Sequence, residues 1–346
     1  MRVLYLGGTG TISASCVAES ARQGHHVTIL TRGRTSGRRP VPDGVTAVTG
    51  DATDPRAVAS ALDGARFDAV VNFLSYDAAD AAAMVDVLAG RVGQYVHISS
   101  ASVYRKPVRR GPVTEATPRL NPLLAYARGK IAAEEVLERA HRERGFPVTV
   151  VRPSHTYDDA HPPLPGEWTA WDRIARGDEL CVPGDGTSLW TLTHAADLAV
   201  GLVGLLGHDQ AVGETVHITS DEALPWDEIY RVVALAAGTA PPRLVHLPSD
   251  LLPVVAPDWM WSDLILGDLA HTAVFDNTAI RRLVPAFRPT ITWSQGARRL
   301  QAWRVDHPDA TRPDPATDAV LDRLVRARHA AAVAVAALAP VVGATA

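Results

Sequence analysis

Tyr126 and Lys130 stand four residues apart in Tyr126-Ala-Arg-Gly-Lys130, inside a segment rich in alanine and glutamate. A helix there carries both side chains on one face. A phenol ionises at about 10, too high to exchange a proton readily at neutral pH. An ammonium one turn away stabilises the phenolate and is expected to draw that value down. Upstream, Gln94-Tyr-Val-His-Ile-Ser-Ser-Ala-Ser-Val-Tyr104 ends an apolar run in a cluster of hydroxyls. Ser100 is the one best placed to hydrogen-bond an oxygen whose charge changes during reaction. This is the equipment for proton exchange at an alcohol or ketone, the partner of hydride transfer at a secondary carbon. A Tyr-x-x-x-Lys pair alone arises often by chance, so its weight depends on what else the chain supplies.

It supplies a place for a hydride carrier. Leu4-Tyr-Leu-Gly-Gly-Thr-Gly-Thr-Ile-Ser13 sets glycines between a strand and a helix. Gly7 and Gly8 permit a tight turn, and Gly10 lets backbone approach a pyrophosphate lying on the helix N-terminus at Thr11 and Ile12. Ser13 stands where a third glycine usually allows helix and strand to pack closely, and it is small enough to substitute. Asp51 and Ala52, after the third strand, are placed to contact an adenine ring, although Asp51 alone also reads as a turn or helix-cap residue. The second strand ends in Thr31-Arg32-Gly33-Arg34, with Arg38 and Arg39 close behind and no carboxylate at the expected place. Guanidinium groups suit the 2′-phosphate of NADP(H), which is therefore favoured, with NAD(H) as the other candidate.

These groups need a scaffold. Arg2–Leu6, Val27–Leu30, Val45–Thr49, Ala69–Asn72, Gln94–Ile98 and Val148–Val151 read as buried strands. Helical patterns fall at Ser13–Gln23, Pro55–Leu62, Asp77–Leu88 and Ala125–Arg144, the last closed by Gly145. Strand–helix alternation predicts an α/β fold: a Rossmann-type doubly wound parallel sheet, with ligands at the carboxyl ends of its strands. Past Arg152 proline and glycine become frequent, which suggests a smaller C-terminal α/β substrate lobe. The expected division is 1–152 for the dinucleotide-binding domain and 153–310 for the substrate lobe, interleaved with the last Rossmann elements. Residues 311–346 are a linker and C-terminal helix, the linker drawn near Arg304–Thr317.

Composition narrows the class. The 346 residues are ample for a sizeable core, and a net charge of −4 gives no general pull toward nucleic acid or anionic membrane. Two cysteines, Cys16 and Cys181, lack metal-ligand spacing and fit a reducing compartment. No metal site is expected. The start MRVLYLGGTG runs straight into the fold, and the apolar tail from Ala330 to Val342 is too short and alanine-rich for a span. That tail reads as a peripheral or partner-facing helix. A cytoplasmic location follows, with no nucleic-acid or membrane partner, and a homodimer is compatible with it.

The chain resembles the extended and atypical short-chain dehydrogenase/reductases, the NAD(P)-dependent epimerase/dehydratase family, from Met1 to about Trp303. The resemblance is carried by Gly7-Gly-Thr-Gly10, Asp51, Ser99-Ser100, Tyr126, Lys130, Val151-Arg-Pro-Ser-His-Thr-Tyr157 and Thr193-His-Ala-Ala-Asp197. Ala270-His-Thr-Ala-Val-Phe-Asp-Asn277 is similar to the branch that includes chloroplast stem-loop-binding proteins. The resemblance implies a bound nicotinamide cofactor, a Ser100–Tyr126–Lys130 triad, Lys130 on the nicotinamide ribose, and Pro153 near the nicotinamide. The chain departs from the family pattern at Ala101-Ser102, where dehydratases carry an Asp-Glu pair, so 4,6-dehydration is disfavoured. It departs again at His155, where sugar-nucleotide enzymes commonly use asparagine.

The expected activity is an NAD(P)(H)-dependent oxidoreductase, ketoreductase or epimerase, acting in carbohydrate metabolism on a small sugar-like substrate, nucleotide-linked or free. Ser102, His155 and Trp190 are the candidate substrate contacts. His155 reads equally as a second acid/base or as a structural histidine, since imidazole titrates near neutrality. Trp168, Trp171 and Trp190 form either an aromatic wall or packing between lobes. The competing class is a non-catalytic dinucleotide sensor or RNA-binding protein of the same fold.

Overall fold

In the first strand, β1 (Arg2–Leu6), Val3 and Tyr5 point to one face of a sheet and Leu4 and Leu6 to the other, and all four are buried. A strand buried on both sides must lie inside a sheet covered by helices on both faces. In the computed structural model, which describes residues 1–33 and 39–338, this is the arrangement.

The first half runs β1, α1 (Thr11–Arg22), β2 (His26–Thr31), β3 (Thr46–Thr49), α2 (Pro55–Ala61), β4 (Phe67–Asn72), α3 (Ala78–Leu88), β5 (Val92–Ile98), α4 (Ala125–Arg144) and β6 (Val148–Pro153). Asp54 and Asp77 cap α2 and α3 through their carboxylates, and Gly145 ends α4 in the left-handed region at φ 65°. The expected strands and helices are all present, with no end shifted by more than two residues.

Past β6 come β7 (His155–Tyr157), α5 (Glu167–Arg176), β8 (Glu179–Val182), β9 (Leu189–Trp190), β10 (Leu192–His194), α6 (Ala195–Gly204) and β11 (Thr215–Ile218). The main sheet has seven strands in the order β3-β2-β1-β4-β5-β6-β11, every pair parallel. The winding direction reverses between β1 and β4, which opens a crevice at their carboxyl ends. Helices α1 and α6 cover the face carrying Val3, Tyr5, Val71 and Val151. Helices α2, α3 and α4 cover the face carrying Leu4, Leu6, Val70 and Tyr95.

The remaining elements are β12 (Leu224–Pro225), α7 (Trp226–Ala237), β13 (Arg243–His246), α8 (Leu252–Val255), α9 (Met260–Leu264), α10 (Thr278–Leu283), α11 (Trp293–Asp306) and α12 (Pro315–Ala337). Helix α10 packs Ile280 and Leu283 onto the core of the main sheet, whereas the others, with α5 and β7–β10, enclose a second apolar core around Trp171, Trp226 and Trp293. Trp168 and Trp171 belong to that core, buried, so they pack the lobe and do not wall a pocket. The expected linker at Arg304–Thr317 is shorter than drawn. Helix α11 continues to Asp306 because Arg304 pairs with Asp172 at 2.7 Å and Trp303 stacks between Trp168 and His307. Helix α12 is docked on the lobe by buried Leu321 and Leu324 and by Asp318 and Asp322 on Arg173.

Candidate active site

The crevice begins at the glycine turn. Gly7 and Gly8 have φ of +105° and +122°, and a Cβ on Gly8 would come within 2.8 Å of Ile29 Cγ2. Gly8 is thus the position that most demands glycine. Gly10 has ordinary extended angles, with φ −83° and ψ 175°. Ser13 does more than stay small: its Oγ accepts from the N–H groups of Gly8 at 3.2 Å and Gly10 at 2.9 Å, holding the turn closed. Beyond it, Thr11 and Ile12 open α1, whose first turn offers backbone N–H groups and a positive dipole end.

The space enclosed is about 840 Å³. Gly7, Gly10, Thr11, Ile12, Arg32, Asp51, Ala52, Ser100, Tyr126, Lys130, Pro153 and His155 all line it. Among the described residues, the structure therefore brings those expected to touch a cofactor to one crevice. The glycine cradle, the open helix end and the absence of a side chain at Gly8 fit a dinucleotide. Asp51 keeps one carboxylate oxygen on Thr53, accepting from its backbone N–H at 3.0 Å and its Oγ1 at 2.8 Å.

The basic stretch divides. Arg32 is exposed at the rim of the crevice. Arg39 is committed elsewhere: it grips Asp158 at 2.5 and 3.1 Å and reaches Thr11 Oγ1 at 3.2 Å, a strap from the β2–β3 loop to the segment after β7. Arg34 and Arg38 lie outside the described residues.

At the far end, Ser100, Tyr126, Pro153 and His155 also line a smaller pocket of about 170 Å³, which continues toward Ser102, Trp190 and Asp268. Ser100 Oγ and Ser102 Oγ are 2.9 Å apart. Lys130 is buried and donates from Nζ to Ser75 O at 2.7 Å and Ile98 O at 2.8 Å. Burial pushes its ammonium down to about 8, partly opposed by Glu134 and Asp80.

The expectation that Lys130 lowers the Tyr126 pKa is not met in this state. Desolvation of the phenol dominates and pushes it up to about 12, a hydrogen bond with Ser100 pulls partly back, and Tyr76 and Asp268 add to the rise. Lys130 Nζ is 5.8 Å from the Tyr126 ring centroid but 4.7 Å from that of Tyr76, and two of its three donors are held by backbone carbonyls. Tyr126 is therefore a protonated phenol at neutral pH.

His155 favours its neutral form. Burial, helped by His161, lowers its imidazole to about 4, and its ring stacks on Trp261. Trp190 lines the pocket while its ring is engaged by Trp226 and by Lys106 Nζ.

Sequence reasoning missed Tyr76, Ser154, Thr156 and Asp268. The first lies just past β4, and a parallel strand's carboxyl end was the available signal for it. A Cβ on Gly129 would meet Tyr76 O at 2.6 Å, so the glycine beside Lys130 lets α4 approach that loop. No sequence signal marked Asp268, which arrives from far along the chain.

Cys16 and Cys181 are free and buried. Among the described residues, no cluster of His, Cys, Asp or Glu is arranged to hold a metal, and no helix is long and apolar enough to cross a membrane.

Comparison with known proteins agrees with this architecture. The chain is 33% identical over 300 residues to 2′-dehydrokanamycin reductase of Streptomyces kanamyceticus, covering 83% of this chain and 80% of that one. It is 26% identical over 256 residues to chloroplast stem-loop binding protein of 41 kDa b of Arabidopsis thaliana, covering 71% and 65% of the two chains. The fold superposes on UDP-glucose 4-epimerase from Bifidobacterium longum, solved with NAD⁺ and UDP, with a TM-score of 0.70 at 19% identity, covering 90% of this chain and all of that one. The model of the NAD dependent epimerase/dehydratase family matches residues 3–219, strand β1 through the end of the parallel sheet, and to that family the chain belongs.

Proposed function

We propose that this protein is an NAD(P)H-dependent reductase of a ketone on a sugar-like ring. The observation that carries the reading is the position of Tyr126 and Ser100, which line both the large crevice and the small pocket. A group in the small pocket thereby meets a phenol and a hydroxyl at the mouth of the space that fits a dinucleotide.

When bound, a nicotinamide dinucleotide supplies the hydride that the carbonyl carbon receives. Gly7, Gly10, Thr11 and Ile12 would hold its pyrophosphate, Asp51 and Ala52 its adenine end, and Lys130 and Pro153 its nicotinamide end. Tyr126 gives its proton to the carbonyl oxygen as that oxygen gains charge, and Ser100 hydrogen-bonds the same atom. Lys130, charged below about 8, favours the phenolate left behind. A phenol held near 12 suits the acid role in reduction better than the base role in oxidation. The similarity to 2′-dehydrokanamycin reductase supports the same direction. Ala101-Ser102 offers no strong acid or base for water elimination, which argues against 4,6-dehydration.

The test is consumption of reduced cofactor with a panel of ketosugars and nucleotide-linked sugars. Turnover of at least one ketone is expected; none across the panel would reject the reading. A second reading, RNA binding, is favoured by the likeness to the stem-loop binding protein. The net charge of −4 opposes it. Titration with a structured RNA at two salt concentrations separates them, because tight, salt-sensitive binding would favour RNA.

NADPH preference is proposed to rest on Arg32, since Arg39 is engaged by Asp158. Arg32→Ala is expected to weaken NADPH binding by about tenfold, as for loss of one charge-assisted contact, and to leave NADH unchanged. Equal affinity for the two dinucleotides, unaltered in the variant, would reject the assignment.

A further inference from the structure

Of the 34 lysines and arginines in the chain, only two are lysines, Lys106 and Lys130, and both are buried. An arginine stays charged in almost any setting, whereas a buried lysine keeps its proton only if its surroundings hold it there. The Lys130 ammonium has three N–H groups, and among the described residues two carbonyls accept from it, Ser75 O at 2.7 Å and Ile98 O at 2.8 Å. Its closest aromatic face belongs to Tyr76, whose ring centroid lies 4.7 Å from Nζ. A cation over such a face is attracted by the ring quadrupole, and more strongly where water is excluded.

The loop after β4 is built to deliver that ring. Tyr76 N donates to Asp80 Oδ2 at 2.8 Å, and Leu74 N donates to Asn72 Oδ1 at 2.8 Å. Gly129, one residue before Lys130, leaves room for the Tyr76 carbonyl against α4. Consecutive residues of one loop thus give the ammonium a carbonyl, from Ser75, and a ring, from Tyr76. The other titratable groups around Lys130 are Glu134 on α4 and Asp80 on α3, which support its charge, and His97 on β5. Burial, then the Lys130 charge, pushes His97 down to about 3, so its imidazole is neutral. The Tyr76 phenol is neutral too, because desolvation and then Asp80 raise it above the ordinary tyrosine value. Its hydroxyl therefore brings no charge to Lys130, and what it offers is the ring face.

We propose that Tyr76 is a positioning residue for Lys130, its ring face holding the ammonium as a third partner beside the two carbonyls. This role rests on the reduction reading above, in which the Lys130 charge favours the phenolate left on Tyr126. A ring that merely shed water from the amine would act in the opposite sense, since burial favours the neutral form. The sign of the change on removing the ring separates the two.

The experiment follows the lysine Cε signals of the cofactor-free protein by ¹H–¹³C NMR as pH is raised. Two lysines give two sets of signals, and that of Lys106, held by Asp268, reports whether a variant keeps its fold. Lys130 in the wild type is expected to titrate at about 8. Tyr76→Leu keeps apolar bulk without a ring face and should lower that midpoint by roughly half to one pH unit. Tyr76→Phe, which keeps the face, should leave it in place. Tyr76 is 47% exposed, so neither change opens a cavity in the core, and Tyr76→Met supplies a second ringless variant judged by the same sign. The alkaline limb of ketone reduction should move down with the midpoint. A midpoint that stays or rises in the ringless variants, with the Lys106 signal intact, would overturn the proposal. A midpoint that falls while the limb of turnover stays at its wild-type pH would uphold Tyr76 as the holder of the ammonium and remove Lys130 from the reduction reading.

Discussion

Tyr126→Phe is expected to lower kcat for ketone reduction by about 10²–10⁴-fold while cofactor affinity stays within about twofold, because only the transferred proton is removed. The ring itself is retained, so its packing beside Tyr76 persists. The split between kcat and cofactor binding distinguishes a lost proton donor from a damaged crevice. The wild-type pH profile supplies an independent check. Tyr126, raised to about 12, stays protonated throughout the neutral range, so it sets no limb there. Lys130, lowered to about 8 by burial, loses its ammonium as pH rises through that value. Reduction should therefore be flat below pH about 8 and decline above it. Stopped-flow turnover measured across pH, with dinucleotide binding followed by fluorescence, gives both readouts. Full activity of the phenylalanine variant would remove Tyr126 from the mechanism.

Glu134→Ala is expected to be the most destabilising of the substitutions considered, by about 3–5 kcal/mol, with a fall in melting temperature on the order of 5–10 °C. Glu134 lies four residues past Lys130, so both fall on one face of α4, and Glu134 is fully buried. It binds Arg152 at 2.6 and 2.9 Å, Arg119 at 2.8 Å, and the Ser99 hydroxyl at short range. Arg119 retains Glu138 in the variant, but Arg152, 3% exposed at its side chain, is left a buried cation without a counter-charge. That imbalance is the source of the loss. Burial alone would raise the Glu134 carboxyl, yet its hydrogen bonds and charge pairing with Arg152, aided by Ser99 and Arg119, hold it below the ordinary glutamate range. A depressed carboxylate contributes stability that is complete above the unfolded value and vanishes as pH falls through the folded one. The stability gap between wild type and variant should therefore be full at neutral pH and close on acidification below the normal glutamate range. Calorimetry at neutral and acid pH measures it, and a gap unchanged with pH would show that packing, not charge, is lost. The same substitution removes a negative charge that supports the Lys130 ammonium, so the alkaline limb of turnover should move to lower pH.

Much of this site was written locally in the chain. Glycines directly after a strand, a hydroxyl run ending β5, and a tyrosine and lysine four apart are all short-range features. Helical and strand periodicity fix what they face without reference to distant residues. Parallel winding then dictates that the ends of β1, β4, β5 and β6 share one edge, which is why the crevice residues were legible together. The role of Ser13 was half legible: its size showed in the sequence, while its hold on two backbone N–H groups depends on the turn's angles.

What the tertiary structure decided is the state of those groups and the company they keep. Tyr126 does not gain the expected pull from Lys130, because carbonyls of β5 and of the loop after β4 hold that ammonium. Arg39 looked like a free guanidinium until Asp158, far away in sequence, came within reach. Lys106 and Asp268 are separated by most of the second lobe, and nothing in either segment marks the other as its partner. Sequence spacing sets which side chains share a face. Burial and long-range charge pairing, which set protonation and specificity, exist only once the chain has closed on itself.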